Sequence, residues 1–121
     1  MSSPLDVVAR AYRAISARDL EGFLACYWPD YRSEQPLHPA DSFVGIEPVR
    51  QRWQRNLDRM PDLRAEIVGG ITAGDDAWVE FRWSGTRTGG QPWEVRGVAI
   101  YTVRDDRIAS VRLYLDQVAP S

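Results

Sequence analysis

The chain has 121 residues, of which 44% are hydrophobic and 26% charged, as in ordinary globular proteins rather than disordered or membrane-spanning ones. Its 15 basic residues are all arginines, scattered among 17 acids, and a net charge of −2 without a basic cluster argues against nucleic-acid binding. One cysteine and one histidine exclude a disulfide framework, a thiolate zinc cluster and a His-rich metal site. We expect a single cytoplasmic domain over residues 1–121, because no basic n-region with an apolar run opens the chain, and we expect neither cofactor nor membrane contact.

The first half of the chain carries signals for three helices. Ser3, followed by Pro4 in the first turn, predicts the start of a helix that ends near Arg18. Asp19 can cap a second, shorter helix, which Pro29 must end because its ring clashes with a continuing turn. The second helix is predicted to run from Leu20 through Tyr27, and the third from Ile46 to Met60.

Later segments alternate between apolar and polar residues, which is the period of a strand. The predicted strands are Tyr31–Gln35, Leu63–Val68, Ala77–Thr86, Pro92–Val103 and Ile108–Asp116. Short connections rich in Gly and Asp join the last four, and such connections force antiparallel neighbours. The loop of about ten residues after the first strand is long enough for a lid or rim. Helices followed by a strand meander predict an α+β fold with the helices on one face of the sheet.

Several segments together carry a family resemblance. They are Ala17-Arg18-Asp19-Leu20-Glu21-Gly22, Tyr31-Arg32-Ser33-Glu34-Gln35-Pro36, Gly45-Ile46-Glu47-Pro48-Val49, Val103-Arg104-Asp105-Asp106-Arg107-Ile108 and Tyr114-Leu115-Asp116. With them the chain resembles the nuclear transport factor 2 superfamily, in an uncharacterised bacterial SnoaL-like branch. The resemblance implies a cone in which three N-terminal helices pack on a strongly curved mixed or antiparallel sheet around a small-molecule pocket.

The full catalytic sets of the best-understood members of the superfamily are absent from the matching positions of this sequence. At the positions of the ketosteroid isomerase tyrosine and base stand Ala11 and Gln35. Arg82 can match the arginine of limonene epoxide hydrolases, but Ser84 and Leu113 stand at their two aspartates. The superfamily also contains polyketide cyclases and non-catalytic binders, so whether this chain is an enzyme stays open.

The orientation of the long middle strand decides which residues enter the pocket. In the relatives the pocket-facing positions correspond to Trp78, Glu80, Arg82 and Ser84. Successive strand side chains point to opposite faces, so a one-residue error would exchange the whole set, and hydrophobicity alone favours that exchange. Following the resemblance, we expect an outer apolar patch that suits a sheet-to-sheet homodimer and is formed by Phe81, Trp83 and Tyr114.

On that orientation, Glu80 is a candidate general acid or base, and Arg82 would orient the substrate or stabilise an oxyanion. Glu34 and His38 are candidates to assist proton transfer. The expected pocket wall consists of Tyr12, Tyr27, Trp53, Leu57, Trp78, Trp93, Tyr101 and Leu113. The alternative interpretation is structural: a Glu80–Arg82 ion pair, a histidine on the rim, and aromatic residues that are plain core.

Three functional hypotheses remain. The first is a cofactor-independent isomerase, cyclase or hydrolase that acts on a small apolar or polyketide-like molecule. The second is a module that binds a small apolar ligand without reaction. The third is a homodimeric interaction protein whose pocket is filled by side chains, which a cavity below a few hundred Å³ would favour. The direction of Glu80 and the open volume in front of it discriminate among them.

Overall fold

A computed structural model describes residues 2–119. The helices are α1 (Pro4–Ser16), α2 (Leu20–Leu24) and α3 (Glu47–Arg59), with a 3-10 turn at Pro39–Asp41. The strands are β1 (Tyr27–Glu34), β2 (Phe43–Val44), β3 (Arg64–Ala73), β4 (Asp76–Thr86), β5 (Pro92–Arg104) and β6 (Arg107–Gln117). The predicted α+β class is confirmed, whereas the cone shape and the strong curvature stay predictions.

The sheet is mixed and has the strand order β2-β1-β6-β5-β4-β3. Strands β3 to β6 form the predicted antiparallel meander, because their turns are too short for any other pairing. Asp105 and Asp106, both with positive φ, form the two-residue turn between β5 and β6. Strand β1 has two neighbours in the sheet. It pairs antiparallel with the short β2 and parallel with β6.

Two of the predicted helix starts have the expected caps. The Ser3 hydroxyl accepts from the Asp6 amide at 3.1 Å, and the Asp6 carboxylate accepts from the Ser3 amide at 3.2 Å. This reciprocal pair is a capping box. The Asp19 carboxylate accepts from the Gly22 amide at 2.9 Å and so caps α2. Helix α1 ends at Ser16, two residues before the predicted end.

The prediction that Pro29 ends the second helix is wrong. Helix α2 ends at Leu24, and Tyr27 already belongs to β1. Between Tyr27 and Arg32 the register against β6 shifts, because the five residue steps of β1 lie opposite only two steps of β6, Ile108 to Ser110. Pro29 lies within this bulge, where a residue without an amide proton costs no ladder hydrogen bond.

The three helices cover one face of the sheet, called the inner face below. Helix α1 buries Val7, Val8, Ala11, Tyr12 and Ile15. They join one hydrophobic cluster with the inward side chains of the strands. Along residues 2–119, no helix is both long and apolar enough to cross a membrane.

Arg18 ties the α1–α2 link to the end of α3. Its guanidinium donates to the carbonyls of Leu57 at 2.7 Å, Met60 at 3.0 Å and Pro61 at 3.2 Å. The last carbonyls of a helix have no partner within the helix, so a cation at this place satisfies both their hydrogen bonding and the helix dipole. Arg18 holds a positive φ of 64° while doing so.

We expect Arg18→Met to lower the free energy of unfolding by about 1–2 kcal/mol, because it removes charged hydrogen bonds to carbonyls at the end of α3. Denaturant unfolding followed by circular dichroism measures the change. The control is Arg13→Met, an exposed arginine of α1, which should shift stability by no more than about 0.5 kcal/mol. Equal losses in both variants would show that the Arg18 contacts do not stabilise the fold.

Candidate functional site

Strand β4 turns its apolar side chains to the inner face. Val79, Phe81 and Trp83 are 1%, 0% and 8% exposed, whereas Glu80 is exposed on the opposite, outer face. The predicted pocket orientation of Glu80 and Arg82 is therefore wrong. The physical reason is that burial of three large apolar side chains is favourable, whereas burial of an unpaired carboxylate and a guanidinium is costly. Phe81 and Trp83 accordingly cannot form the predicted outer patch.

Arg82 takes part in an ion-pair network on the outer face. Its Nε lies 2.9 Å from Glu94 Oε2 and its Nη1 lies 3.0 Å from Glu66 Oε1. Arg96 Nε also contacts Glu94 Oε2, at 2.7 Å. Hydrogen bonds from Arg82 and Arg96 hold the pKa of Glu94 below its usual value. The structural interpretation of Arg82 is thus the better one, although its partners are Glu66 and Glu94 rather than Glu80.

The other proposed proton-transfer groups also lie outside the inner face. Glu34 is exposed and points outward from β1, and His38 is exposed just before the 3-10 turn. Trp78, expected in the pocket wall, is 45% exposed on the outer face. Leu57 belongs to the buried core, and the partly buried Trp93 packs against that core. Neither residue lines the cavity described next.

A small cavity lies between the helices and the inner face. Its volume is about 40 Å³, enough for a few water molecules and far below the size of a usual ligand site. The residues that line it are Tyr12, Ile15, Phe23, Tyr27, Tyr31, Ser33, Phe43, Val49, Arg52, Trp53, Ala65, Trp83, Tyr101 and Leu113. Five of the eight predicted wall residues are among them: Tyr12, Tyr27, Trp53, Tyr101 and Leu113.

An open groove adjoins the cavity and shares Ser33 and Phe43 with it. The groove has a volume of about 560 Å³ and runs along β1, β2 and the loop between them. Its remaining lining residues are Arg32, Glu34, Gln35, Pro36, Pro39, Ser42 and Val44. The predicted loop thus forms part of the rim. The enclosed volume alone favours the hypothesis of a filled pocket, whereas the groove adds the space in which a ligand could extend.

Hydroxyl groups are concentrated in the cavity. The hydroxyl oxygens of Tyr12 and Tyr101 lie 2.9 Å apart, and Trp83 Nε1 donates to the Tyr12 hydroxyl at 3.3 Å. Each tyrosine carries one hydroxyl proton, and the bond between the two phenols uses one of them. Whichever tyrosine donates, one O–H of the pair remains available to an acceptor in the cavity.

Burial keeps these phenols protonated. Desolvation raises the pKa of Tyr12 to about 12, although hydrogen bonds to Tyr101 and Trp83 oppose the shift. Desolvation also raises the pKa of Tyr27, Tyr31 and Tyr101 above the usual value. A phenol with a raised pKa is a neutral hydrogen-bond donor at physiological pH and a poor general base. The cavity can therefore polarise an acceptor oxygen, but its tyrosines cannot abstract a proton.

Among the described residues 2–119, Arg52 is the one charged residue in the lining. The same stretch contributes no carboxylate, histidine or cysteine to it. Between Ser2 and Ala119, no three His, Cys, Asp or Glu side chains come together in a way that could hold a metal ion. General acid–base chemistry by a side chain of this cavity accordingly has no candidate base.

Sequence reasoning missed the other nine lining residues, among them Tyr31, Ser33, Phe43 and Arg52. A signal for the first two existed in β1, where buried Tyr31 and Ser33 alternate with exposed Arg32 and Glu34. Phe43 belongs to a two-residue strand that is too short to show a period. Arg52 precedes the buried Trp53 on α3, and nothing in the local pattern distinguishes it from the other exposed arginines of that helix.

Comparisons with known proteins identify the family. The family model described as SnoaL-like domain matches residues 8–111. A search of the curated proteins finds no match.

Solved structures share the fold. One is a nuclear transport factor 2-like protein of unknown function from Burkholderia pseudomallei, with a TM-score of 0.76, 21% identity, and coverage of 96% of this chain and 92% of that one. IdmH, a candidate polyketide cyclase from Streptomyces antibioticus, has a TM-score of 0.80, 24% identity, and coverage of 95% and 93%. A Mycobacterium tuberculosis protein in complex with estradiol-17β-hemisuccinate has a TM-score of 0.79, 24% identity, and coverage of 93% and 94%.

The buried phenols predict a loss of stability at high pH. The pKa of Tyr12 is higher in the folded than in the unfolded state, so the unfolded chain loses its proton first as the pH rises. The stabilisation is complete below about pH 10 and falls between about pH 10 and pH 12, by about 3 kcal/mol for Tyr12 alone. Because the chain contains no lysine, few other groups titrate in this range.

Denaturant unfolding at a series of alkaline pH values, with tyrosinate absorbance recorded in parallel, measures this loss. Tyr101→Phe should reduce it, because one buried phenol is then absent. A free energy of unfolding that stays constant across the range would contradict the burial of these hydroxyls.

Proposed function

This chain belongs to the SnoaL-like domain family, and on that premise we propose that its aromatic cavity binds the carbonyl or ether oxygen of a small, largely apolar molecule without general-base catalysis. The observation that carries this proposal is the unused O–H of the Tyr12–Tyr101 pair, in a cavity to whose lining residues 2–119 contribute no carboxylate. In low-dielectric surroundings such a donor binds an acceptor more strongly than it would in water.

The shape of the site supports a ligand that is only partly enclosed. A cavity of about 40 Å³ accommodates one polar end of a molecule rather than the whole of it. The remainder would pass Phe43 and lie in the adjoining groove. Aromatic rings around the hydroxyl pair, among them Trp53 and Trp83, provide an apolar wall.

Proteins of the same fold support this direction. IdmH is named as a candidate polyketide cyclase, and the Mycobacterium tuberculosis protein was solved with a steroid ester. Polyketides and steroid esters both carry oxygen atoms on a carbon framework. The proposal for this chain differs from acid–base enzymes because Glu80 and His38 line neither the cavity nor the groove, and Glu34 lines the groove but not the cavity.

We expect 2-hexanone to bind with its carbonyl in the cavity and the Tyr12→Phe/Tyr101→Phe double variant to bind it about tenfold more weakly, because neither phenol proton of this pair remains to donate. Protein-observed NMR titration measures both affinities and locates the site. The single Tyr101→Phe variant should bind nearly as well as the parent, since Tyr12 keeps its O–H.

Tyr114→Phe, on the outer face, is the control and should leave the affinity for 2-hexanone unchanged. The unaltered protein should also prefer 2-hexanone to 1-hexene, a comparison that does not depend on the stability of any variant. Equal binding of both probes, or shifts confined to the outer face, would contradict the proposal.

A second candidate function is self-association, and the specific observation is an apolar strip on the outer face. The strip consists of Ile71 on β3, Trp78 on β4, and Val98 and Tyr114 on β5 and β6. Ile71, Trp78 and Val98 are 63%, 45% and 40% exposed. Of the expected trio Phe81, Trp83 and Tyr114, Tyr114 alone belongs to this strip, because the other two are core residues.

The charges around the strip suit a second copy of the same chain. Glu80 and Arg112 are exposed on the outer face on either side of β5, and neither forms an ion pair within residues 2–119. A two-fold axis through the strip would bring Glu80 of one copy near Arg112 of the other. We propose a homodimer through this face.

We expect Trp78→Glu to convert the dimer to a monomer, because it places a carboxylate in the centre of the apolar contact. Sedimentation velocity at several concentrations measures the change. Leu37→Glu, which alters an equally apolar and more exposed residue of the rim loop, is the control and should leave the dimer intact. A parent protein that sediments as a monomer at all concentrations would rule the homodimer out.

A further inference from the structure

Arg52 places a positive charge at the mouth of the cavity. It is exposed on α3, yet it contributes to the cavity lining beside the buried Tyr31 and Trp53. Phe43, which lines both the cavity and the groove, lies under the guanidinium, with the ring centroid 6.0 Å from Cζ. The charge therefore stands where the enclosed space meets the open one.

Nothing in the described part of the chain neutralises this charge. No acid within residues 2–119 forms an ion pair with Arg52. The helix positions three and four residues away carry Pro48, Val49, Arg55 and Asn56, so the helix itself offers no acidic partner. By contrast, nearby Arg50 is paired with Glu21 and Glu47.

The charge of Arg52 also acts on the phenol of Tyr31 inside the cavity. Burial raises the pKa of Tyr31 above its usual value, and the hydrogen bond with Ser33 and the positive charge of Arg52 both oppose this shift. The groove beside it carries one charge of each sign, Arg32 and Glu34, and so does not itself select for an anion. Among residues 2–119, Arg52 is the cation without an ion-pair partner that lines the cavity itself.

We propose that the ligand is an oxo-carboxylic acid whose carboxylate binds Arg52 at the mouth while its carbonyl oxygen accepts from the Tyr12–Tyr101 pair. This inference rests on the proposed function and adds the chemical class of the ligand. A guanidinium binds a carboxylate through two parallel hydrogen bonds, so the two ends of such a molecule are recognised by different groups. The methylene chain between them contacts the aromatic wall.

The test compares three probes that share one carbon chain: 5-oxohexanoate, the neutral 5-oxohexanamide, and 2-hexanone, in which a methyl group stands in place of the carboxylate. We expect 5-oxohexanoate to bind the parent protein about tenfold more tightly than the amide, and the preference to fall as salt is added. Shorter and longer oxo acids locate the best span between Arg52 and the hydroxyl pair.

Arg52→Gln should abolish the preference for the acid without weakening 2-hexanone binding, and Arg52→Lys should keep part of it. Arg55→Gln changes another exposed arginine of α3 that does not line the cavity, and it should keep the full preference. NMR titration gives the affinities of all variants.

The outcomes separate the two proposals. If acid and amide bind the parent equally, or if Arg52→Gln retains the preference, the oxo-acid inference is overturned, and the proposed function stands as long as the Tyr12→Phe/Tyr101→Phe variant still binds 2-hexanone more weakly. If that double variant binds all three probes as the parent does, the proposed function fails and the inference fails with it.

Discussion

The packing of Trp83 is the contact on which the rest of the site depends. Its ring stacks on Phe81 at 4.4 Å, meets Trp53 of α3 edge-on at 5.1 Å, and its indole N–H donates to Tyr12 of α1. One side chain thus joins β4 to two helices and fixes a phenol in the cavity. It also fixes the parity of β4, because alternation then sends Glu80 and Arg82 to the other face.

The same burial that stabilises this cluster limits its chemistry. Desolvation raises the pKa of the cavity phenols, so they stay neutral donors, and it would penalise a carboxylate placed among them. The single guanidinium of the lining, Arg52, is found where the cavity opens to solvent and its hydration is kept. Neutral hydrogen-bond donors thus lie inside the cavity, and a cation lies at its mouth.

On the outer face, the charged Arg82 side chain of β4 forms ion pairs with the neighbouring strands. Arg82 is exposed enough to remain hydrated, and it gains partners on both neighbouring strands, Glu66 on β3 and Glu94 on β5. Ion pairs of this kind contribute little to stability at a surface, but they allow charged residues to occupy the middle of a sheet. The apolar strip around Trp78 lies beyond them on the same face.

The sequence by itself determined the family and most of the elements, but not the end of α2 or the short strand β2. Ser3 and Asp19 specify helix starts through local caps, the Gly- and Asp-rich turns specify hairpins, and the family segments span the chain; the family resemblance is confirmed. The sequence also indicated which side chains of β4 face inward, since the apolar Val79, Phe81 and Trp83 alternate with charged residues. Hydrophobicity predicted this orientation correctly, whereas the comparison with distant relatives predicted the opposite one.

Only the tertiary structure decided which residues meet at the cavity and how much space they leave. Tyr31 and Ser33 reach it because β1 pairs parallel to β6 after the bulge at Pro29, and that register is set by contacts far apart in sequence. Arg52 of α3 and Phe43 of β2 meet at the mouth, with the ring centroid 6.0 Å from Cζ, because the fold places their two elements side by side. The volume of about 40 Å³ is the small remainder between packed side chains, a quantity that no local pattern encodes.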